Sequence, residues 1–211
     1  VELVSITELS EARLLHLGGR AVDAISDPTN RLTRARVLAL TAALEKMLPA
    51  PKPLIIIGND RFFSAGADLN EIAALSGAAA YDFAQMGQRL MTLVDDFPAP
   101  VIAAIRGHCM GGGLDLALAC DLRIAAPDAG FGHRGAALGI MTGWGGTQRL
   151  PRLIGYARAL QMLVAADHVS AARAFEIGLV QQISEDPVAS ALEHSARFSE
   201  RIAAALRAPV S

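Results

Sequence analysis

Two short apolar runs constrain this chain more than any other feature. "LIIIGN" (54–59) follows Pro49, Pro51 and Pro53, and "VIAAI" (101–105) follows Pro98 and Pro100. Each run is bounded by breakers, shorter than a helix and apolar at successive positions, which predicts a strand buried on both faces. Such strands belong to sheets covered by helices, and parallel pairing goes with that cover. Both runs lead through a glycine-bearing turn into a helix: "LIIIGNDRFFSAGADLNEI" and "VIAAIRGHCMGGGLDLALA".

The rest of the chain alternates in the same way. "ELVSI" and "ARLLHLG" read as short strands. Leu32, Ala35, Leu38, Ala42 and Met47 follow helical spacing over 32–48, and Phe83, Met86, Leu90, Val94 and Phe97 do so over 78–97. Strands follow at "LRIAA" and around "AGFGH", then a glycine-rich loop to Gly146. Helices near 147–154, 156–164 and 170–177, a strand "LVQQIS" and a helix from Pro187 to about Leu206 complete the order. The expectation is a mostly parallel α/β fold in one domain spanning 1–211, its core about 1–150 and a helical part about 151–211.

With 52% apolar and 19% charged residues, the chain is suited to a globular core. A net charge of -2 with scattered bases gives no case for nucleic acid or an anionic membrane as partner. No apolar run nears the ~20 residues of a membrane helix, and the start lacks the pattern of a signal peptide. Cys109 and Cys120 lie in apolar surroundings and read as free buried thiols, which suggests a cytoplasmic protein.

Three consecutive glycines, Gly111 to Gly113, stand where a helix begins, although glycine costs a helix interior roughly 1 kcal/mol relative to alanine. Helix starts present N–H groups without internal partners, and small residues let a ligand oxygen come close. Two such groups converging on one point would stabilise an oxyanion developing on a carbonyl. Each motif also has a plain reading: glycine is common in turns, and Asp68 suits a helix N-cap. The triplet is not a phosphate loop, because it lacks the Lys-Ser/Thr pair, and no G-x-G-x-x-G follows a strand.

Taken in order, "FFSAGADLNEI", "VIAAIRGHCMGGGLDLALACDLRIAA", "LGIMTGWGGTQRLPRLIG" and "ARAFEIGLVQQI" resemble the crotonase superfamily, the enoyl-CoA hydratase/isomerase family, from about Leu54 to Ile183. The resemblance implies a crotonase-like (ClpP/crotonase) fold of repeated ββα units with a helical C-terminal part, shortened here. It also implies a homotrimer or dimer of trimers acting on an acyl-CoA thioester, within fatty acid metabolism, with coenzyme A entering as part of the substrate and no other cofactor or metal. By motif position the thioester oxygen would meet the N–H groups of Ala67 and Gly112. Ala65, Gly66, Asp68 and Gly111 would line the same substrate site.

Family hydratases place two glutamates around a water molecule. At the first position this chain has Asp115, a carboxylate with a reach shorter by about 1.5 Å, one C–C bond. Dienoyl-CoA isomerases of the family also use aspartate there. Matching Phe131, Gly132, Leu138 and Gly139 to the family pattern puts Gly135 at the second, where no proton can be carried. A later position that is aspartate in some members aligns with Gly143. His133, near the vacant position, is a candidate substitute because histidine titrates in the useful range, and an extended segment would turn it to the same side as Gly135. Arg134 is a second candidate beside it; His108 is expected to pack or bind a backbone group. Trp144 fits either the acyl pocket or the core. One carboxylate suits isomerase or lyase chemistry better than two-glutamate hydration. A catalytically degenerate acyl-CoA-binding member is the alternative.

Overall fold

The computed structural model describes residues 3–18 and 27–207. The order is β1 (Ser5–Glu8), β2 (Arg13–His16), α1 (Arg34–Met47), β3 (Leu54–Ile57), β4 (Phe62–Ser64), α2 (Leu69–Ala73), α3 (Gly77–Asp95), β5 (Val101–Ile105), β6 (His108–Met110), α4 (Gly112–Ala119), β7 (Leu122–Ala125) and β8 (Gly130–Gly132). A 3-10 turn at Ala136–Leu138, α5 (Gly146–Ile154), α6 (Tyr156–Val164), β9 (Val169–Ser170), α7 (Ala171–Glu176), β10 (Gln182–Ile183) and α8 (Pro187–Arg207) follow.

Among the described residues the strands form two sheets, ordered β1-β2-β3-β5-β7-β10 and β4-β6-β8-β9. Three successive pairs, β3/β4, β5/β6 and β7/β8, each give their first strand to the large sheet and their second to the small one. That is the repeated ββα plan. The central pairs run parallel, with Leu54 opposite Val101 and Ile102 opposite Leu122. Among the strands of the described residues, β1–β2 and β8–β9 pair antiparallel.

The double burial inferred for the apolar runs is resolved residue by residue. Leu54, Ile56, Val101, Ala103 and Ile105 enter the main core, whereas Ile55, Ile102 and Ala104 join Ile124 and Ala191 of α8 on the other face. Strand side chains alternate sides, so a strand covered on both must be apolar throughout.

Several expectations need correction. Thr33, not Leu32, starts α1: its side chain accepts from the Arg36 N–H as an N-cap. The buried face of α1 is Val37, Leu40, Leu44 and Met47, while Ala35, Leu38 and Ala42 are exposed. Both stripes have helical spacing; the one with the bulkier residues at its centre takes the core. The first strand is Ser5–Glu8 rather than "ELVSI". Strands β4, β6 and β9, only two or three residues long, lie in segments read as turns and helix starts.

Arg123 ties the end of α4 to the chain beyond. It is buried, and its guanidinium donates to the carbonyls of Ala117, Cys120 and Leu179. Cys109 and Cys120 are free and buried, and burial pushes the Cys120 thiol up to about 12. Such thiols are inert.

Candidate active site

The small sheet delivers two loops to one place. The first runs from Ser64 to Asp68 and is held by the preceding segment. Ala65 N–H donates to Thr29 O (2.9 Å), Leu32 N–H donates to Gly66 O (2.8 Å), and Ser64 Oγ donates to Asn30 O (2.7 Å). Asp68 caps α2 by accepting from Asn70 and Glu71 N–H, and its other oxygen lies 3.0 Å from Arg31 Nη1. Its carboxylate is thereby fully engaged in holding the loop.

The second loop turns at Gly111, whose φ of 52° is a conformation glycine adopts without strain. Gly111 N–H donates to Gly132 O at 2.9 Å, and α4 starts at the next residue. The two loops press backbone to backbone. A Cβ on Gly66 would lie 2.9 Å from Gly112 N, and one on Gly112 would lie 3.3 Å from Ala67 N. Neither the Ala67 nor the Gly112 N–H has an acceptor among the described residues. The glycines therefore have separate causes: Gly111 the turn, Gly112 the Trp144 ring and, less tightly, the approach to Ala67 N, and Gly113 contact with Ser64.

Asp115 is the acid of the first turn of α4 and is 2% exposed. Thr142 Oγ1 donates to its Oδ2 at 2.5 Å. Its Oδ1 has no hydrogen-bond partner and faces His133 Nε2 at 3.6 Å, which is also buried without one. At that length the contact is not a hydrogen bond. Two orphaned polar atoms facing one another are costly in a folded core, so their persistence marks this spot chemically.

The segment after β8 is not extended, so strand alternation does not put His133 and Gly135 on one side. Gly135 has φ -55° and ψ -47° and opens the 3-10 turn. Here β8 has already ended, and the chain must curl back to Ile140, whose carbonyl receives the approach of Gly135. A Cβ at 135 would lie 2.7 Å from Ile140 O and 3.5 Å from His133 Nδ1. His133 and position 135 are thus neighbours through a turn rather than through strand alternation. Gly143 O accepts from Gln88 Nε2 (2.8 Å) on α3. Trp144 is 4% exposed, its ring set between α3 and the start of α4. His108 is exposed and packs against Phe62 and His168, away from Asp115.

Sequence reasoning missed Thr142 and Arg31. Their partners are distant in sequence, and only the "MTGWGG" segment gave a pointer to the first. A surface cleft lined by Arg158, Asp167, His168 and Arg173 contains none of the site residues. No helix among the described residues is long and apolar enough to cross a membrane.

The enoyl-CoA hydratase/isomerase family profile matches residues 22–210. The chain belongs to the enoyl-CoA hydratase/isomerase family, within the crotonase superfamily. It is 40% identical over 180 residues to a probable enoyl-CoA hydratase of Bacillus subtilis, covering 82% of this chain and 70% of that one. It is 48% identical over 136 residues to a crotonyl-CoA hydratase of Syntrophomonas wolfei, covering 64% and 52%. It spans about half the length of that second relative. Among solved structures, Pseudomonas aeruginosa DspI superposes with a TM-score of 0.87 at 32% identity, over 95% of this chain and 81% of that one. An enoyl-CoA hydratase from Bacillus anthracis does so at 0.82 and 35%, over 95% and 76%.

Proposed function

We propose that this family member acts on an acyl-CoA thioester, holding the thioester oxygen between the N–H groups of Ala67 and Gly112. Asp115 then moves a proton on the acyl carbons. The observation that supports the reading is the close approach of Gly66–Ala67 to Gly112, where the Ala67 and Gly112 N–H groups have no acceptor among the described residues. Donors fixed before the reaction lower the energy of a forming enolate without reorganising, and losing one costs ~2.7–4 kcal/mol in the transition state. Ala65, Gly66, Asp68 and Gly111 shape that hole through the backbone contacts of their loops.

Asp115, three residues after Gly112, offers a carboxylate pinned on one oxygen by Thr142 and without a hydrogen bond on the other, whereas the Asp68 carboxylate is taken up by the start of α2 and by Arg31. One carboxylate can take a proton from one carbon of an enolisable thioester and return it to another, leaving no net change in protonation. It can also protonate an enolate left by decarboxylation. With glycine at 135, where the family resemblance places the second glutamate, these isomerase or lyase reactions are favoured over two-glutamate hydration. We further propose a homotrimer or dimer of trimers in the cytoplasm, with coenzyme A as part of the substrate.

A second reading, acyl-CoA binding without turnover, is favoured by one observation: Ile140 O occupies the room a side chain at 135 needs. A panel of 2-enoyl, 3-enoyl and malonyl-type CoA thioesters, tested beside Asp115→Asn, separates the two. Turnover that the substitution abolishes supports the enzyme. Binding of thioesters without turnover of any supports the second reading, and no binding at all rejects both.

A further inference from the structure

Trp144 is the chain's only tryptophan, and two helices have made room for its ring. Gly87 lies in the middle of α3, where glycine is unfavourable by roughly 1 kcal/mol. A Cβ there would overlap Trp144 Nε1, Cε2 and Cδ1. On the other side a Cβ on Gly112 would lie 2.6 Å from Cζ3 and 2.8 Å from Cε3. The five-membered ring therefore lies on α3 and the six-membered edge on the first residue of α4. Nε1 donates to Phe83 O at 3.3 Å, and the Phe83 ring lies 5.3 Å away.

The same point off Gly112 that touches the indole lies 3.3 Å from Ala67 N. The ring edge consequently borders the approach of Ala67 N to Gly112. The loop carrying it is tied at each end of the site. Trp144 N–H donates to Thr142 Oγ1 (3.4 Å), that hydroxyl donates to Asp115, and Gln88 on α3 holds Gly143. One three-residue stretch thus fixes both the carboxylate and the wall.

We propose that Trp144 determines acyl-chain length, restricting the site to short-chain acyl thioesters. This rests on the acyl-thioester reading above. A carbonyl at Ala67 and Gly112 with its neighbouring carbons at Asp115 has the α3–α4 seam beside it, and the indole fills that seam. A four-carbon acyl group stops short of the ring; a twelve-carbon tail has to displace it. Because the ring is hydrogen-bonded, set against the tilted Phe83 ring and clasped by two glycines, displacement is resisted from several sides at once.

The sole indole is also the reporter. Titrate the chain with the non-reacting saturated thioesters butyryl-, octanoyl- and dodecanoyl-CoA, following tryptophan emission, and repeat by calorimetry with Trp144→Leu and Trp144→Phe. The expected result is an emission change with butyryl-CoA, at least tenfold weaker binding of dodecanoyl-CoA, and loss or reversal of that preference in the leucine variant. The phenylalanine variant, intermediate in size, serves if the leucine variant does not fold. Equal affinity of the unaltered chain for all three thioesters, or an unchanged preference in a folded variant, overturns the inference and leaves the acyl-thioester reading standing. Failure of every thioester to bind the unaltered chain removes that reading, and this inference with it.

Discussion

Asp115 Oδ1 and His133 Nε2 face each other 3.6 Å apart, both buried and neither hydrogen-bonded. A core selected for stability alone would pair or delete these atoms, since each unsatisfied one costs about 1–3 kcal/mol. Asp115→Asn keeps the shape and the Thr142 contact while removing proton transfer. Turnover of the preferred thioester is expected to fall by about 10²–10⁴-fold with thioester affinity little changed. Steady-state kinetics beside equilibrium binding checks this, and a variant with unaltered kcat refutes the role given to Asp115.

His133→Leu tests the other half of the pair through stability. Replacing a buried ring with an orphaned nitrogen by an apolar side chain is expected to leave the melting temperature equal or raised, while turnover drops at least tenfold. Thermal unfolding and kinetics on one preparation distinguish this from a histidine that merely packs, whose loss lowers stability and leaves kcat per folded molecule intact.

The glycine triplet predicts three outcomes from one kind of substitution. Gly111→Ala imposes a Cβ on a left-handed backbone and destabilises by about 1–3 kcal/mol. Gly113→Ala drives a methyl to 2.7 Å from Ser64 O and costs stability by overpacking, also about 1–3 kcal/mol. Gly112→Ala places its methyl beside Ala67 N and against the indole, so catalysis falls by about 10²–10³-fold, beyond any loss of folded protein. Denaturant melts with activity per folded molecule read out the pattern; equal effects from all three would contradict it.

Asp27 gives a pH prediction. Burial works to raise its pKa, but the Thr29 hydroxyl, the Arg31 and Thr29 N–H groups and the Arg31 charge together hold it well below the usual carboxylate range. Arg31 also pairs with Asp68, so this hub braces the loop that carries Ala67. A folded-state pKa below the unfolded value of about 3.9 means the carboxylate stabilises the fold above that pH. The contribution is lost as pH falls from about 4 toward the folded value. Asp27→Asn should lower stability at neutral pH and flatten the acid side of the stability curve; parallel curves for the two proteins would refute it.

Much of this was legible in the sequence because it rests on short-range rules. Proline-bounded apolar runs gave β3 and β5, and helical spacing gave α3 with Phe83, Leu90 and Val94 inward. What escaped depends on distant partners. The strands β4 and β6 are too short to show alternation, and the small sheet alone stabilises them. The α1 face was misassigned because two apolar stripes compete and only packing chooses. Gly87 looks like a defect until Trp144, far along the chain, is seen against it. Thr142 had no pointer beyond its place in "MTGWGG", since a lone threonine in a glycine-rich loop does not announce its carboxylate.

Gly135→Glu introduces the glutamate that the family resemblance implies at this position and asks whether identity alone confers hydration. The surrounding backbone argues against it. The first atom of the new side chain would sit 2.7 Å from Ile140 O, a main-chain atom that cannot rotate away. The turn between residues 135 and 140 must open, breaking the bonds from Leu138 and Ile140 N–H to Gly135 O. Destabilisation of about 1–3 kcal/mol is expected, with no gain in hydration of crotonyl-CoA. Loss of the ultraviolet absorbance of the conjugated enoyl thioester checks the second point and thermal unfolding the first. A folded variant that hydrates crotonyl-CoA tenfold faster than the unaltered chain would mean that the turn yields readily and that only the missing carboxylate limits water addition.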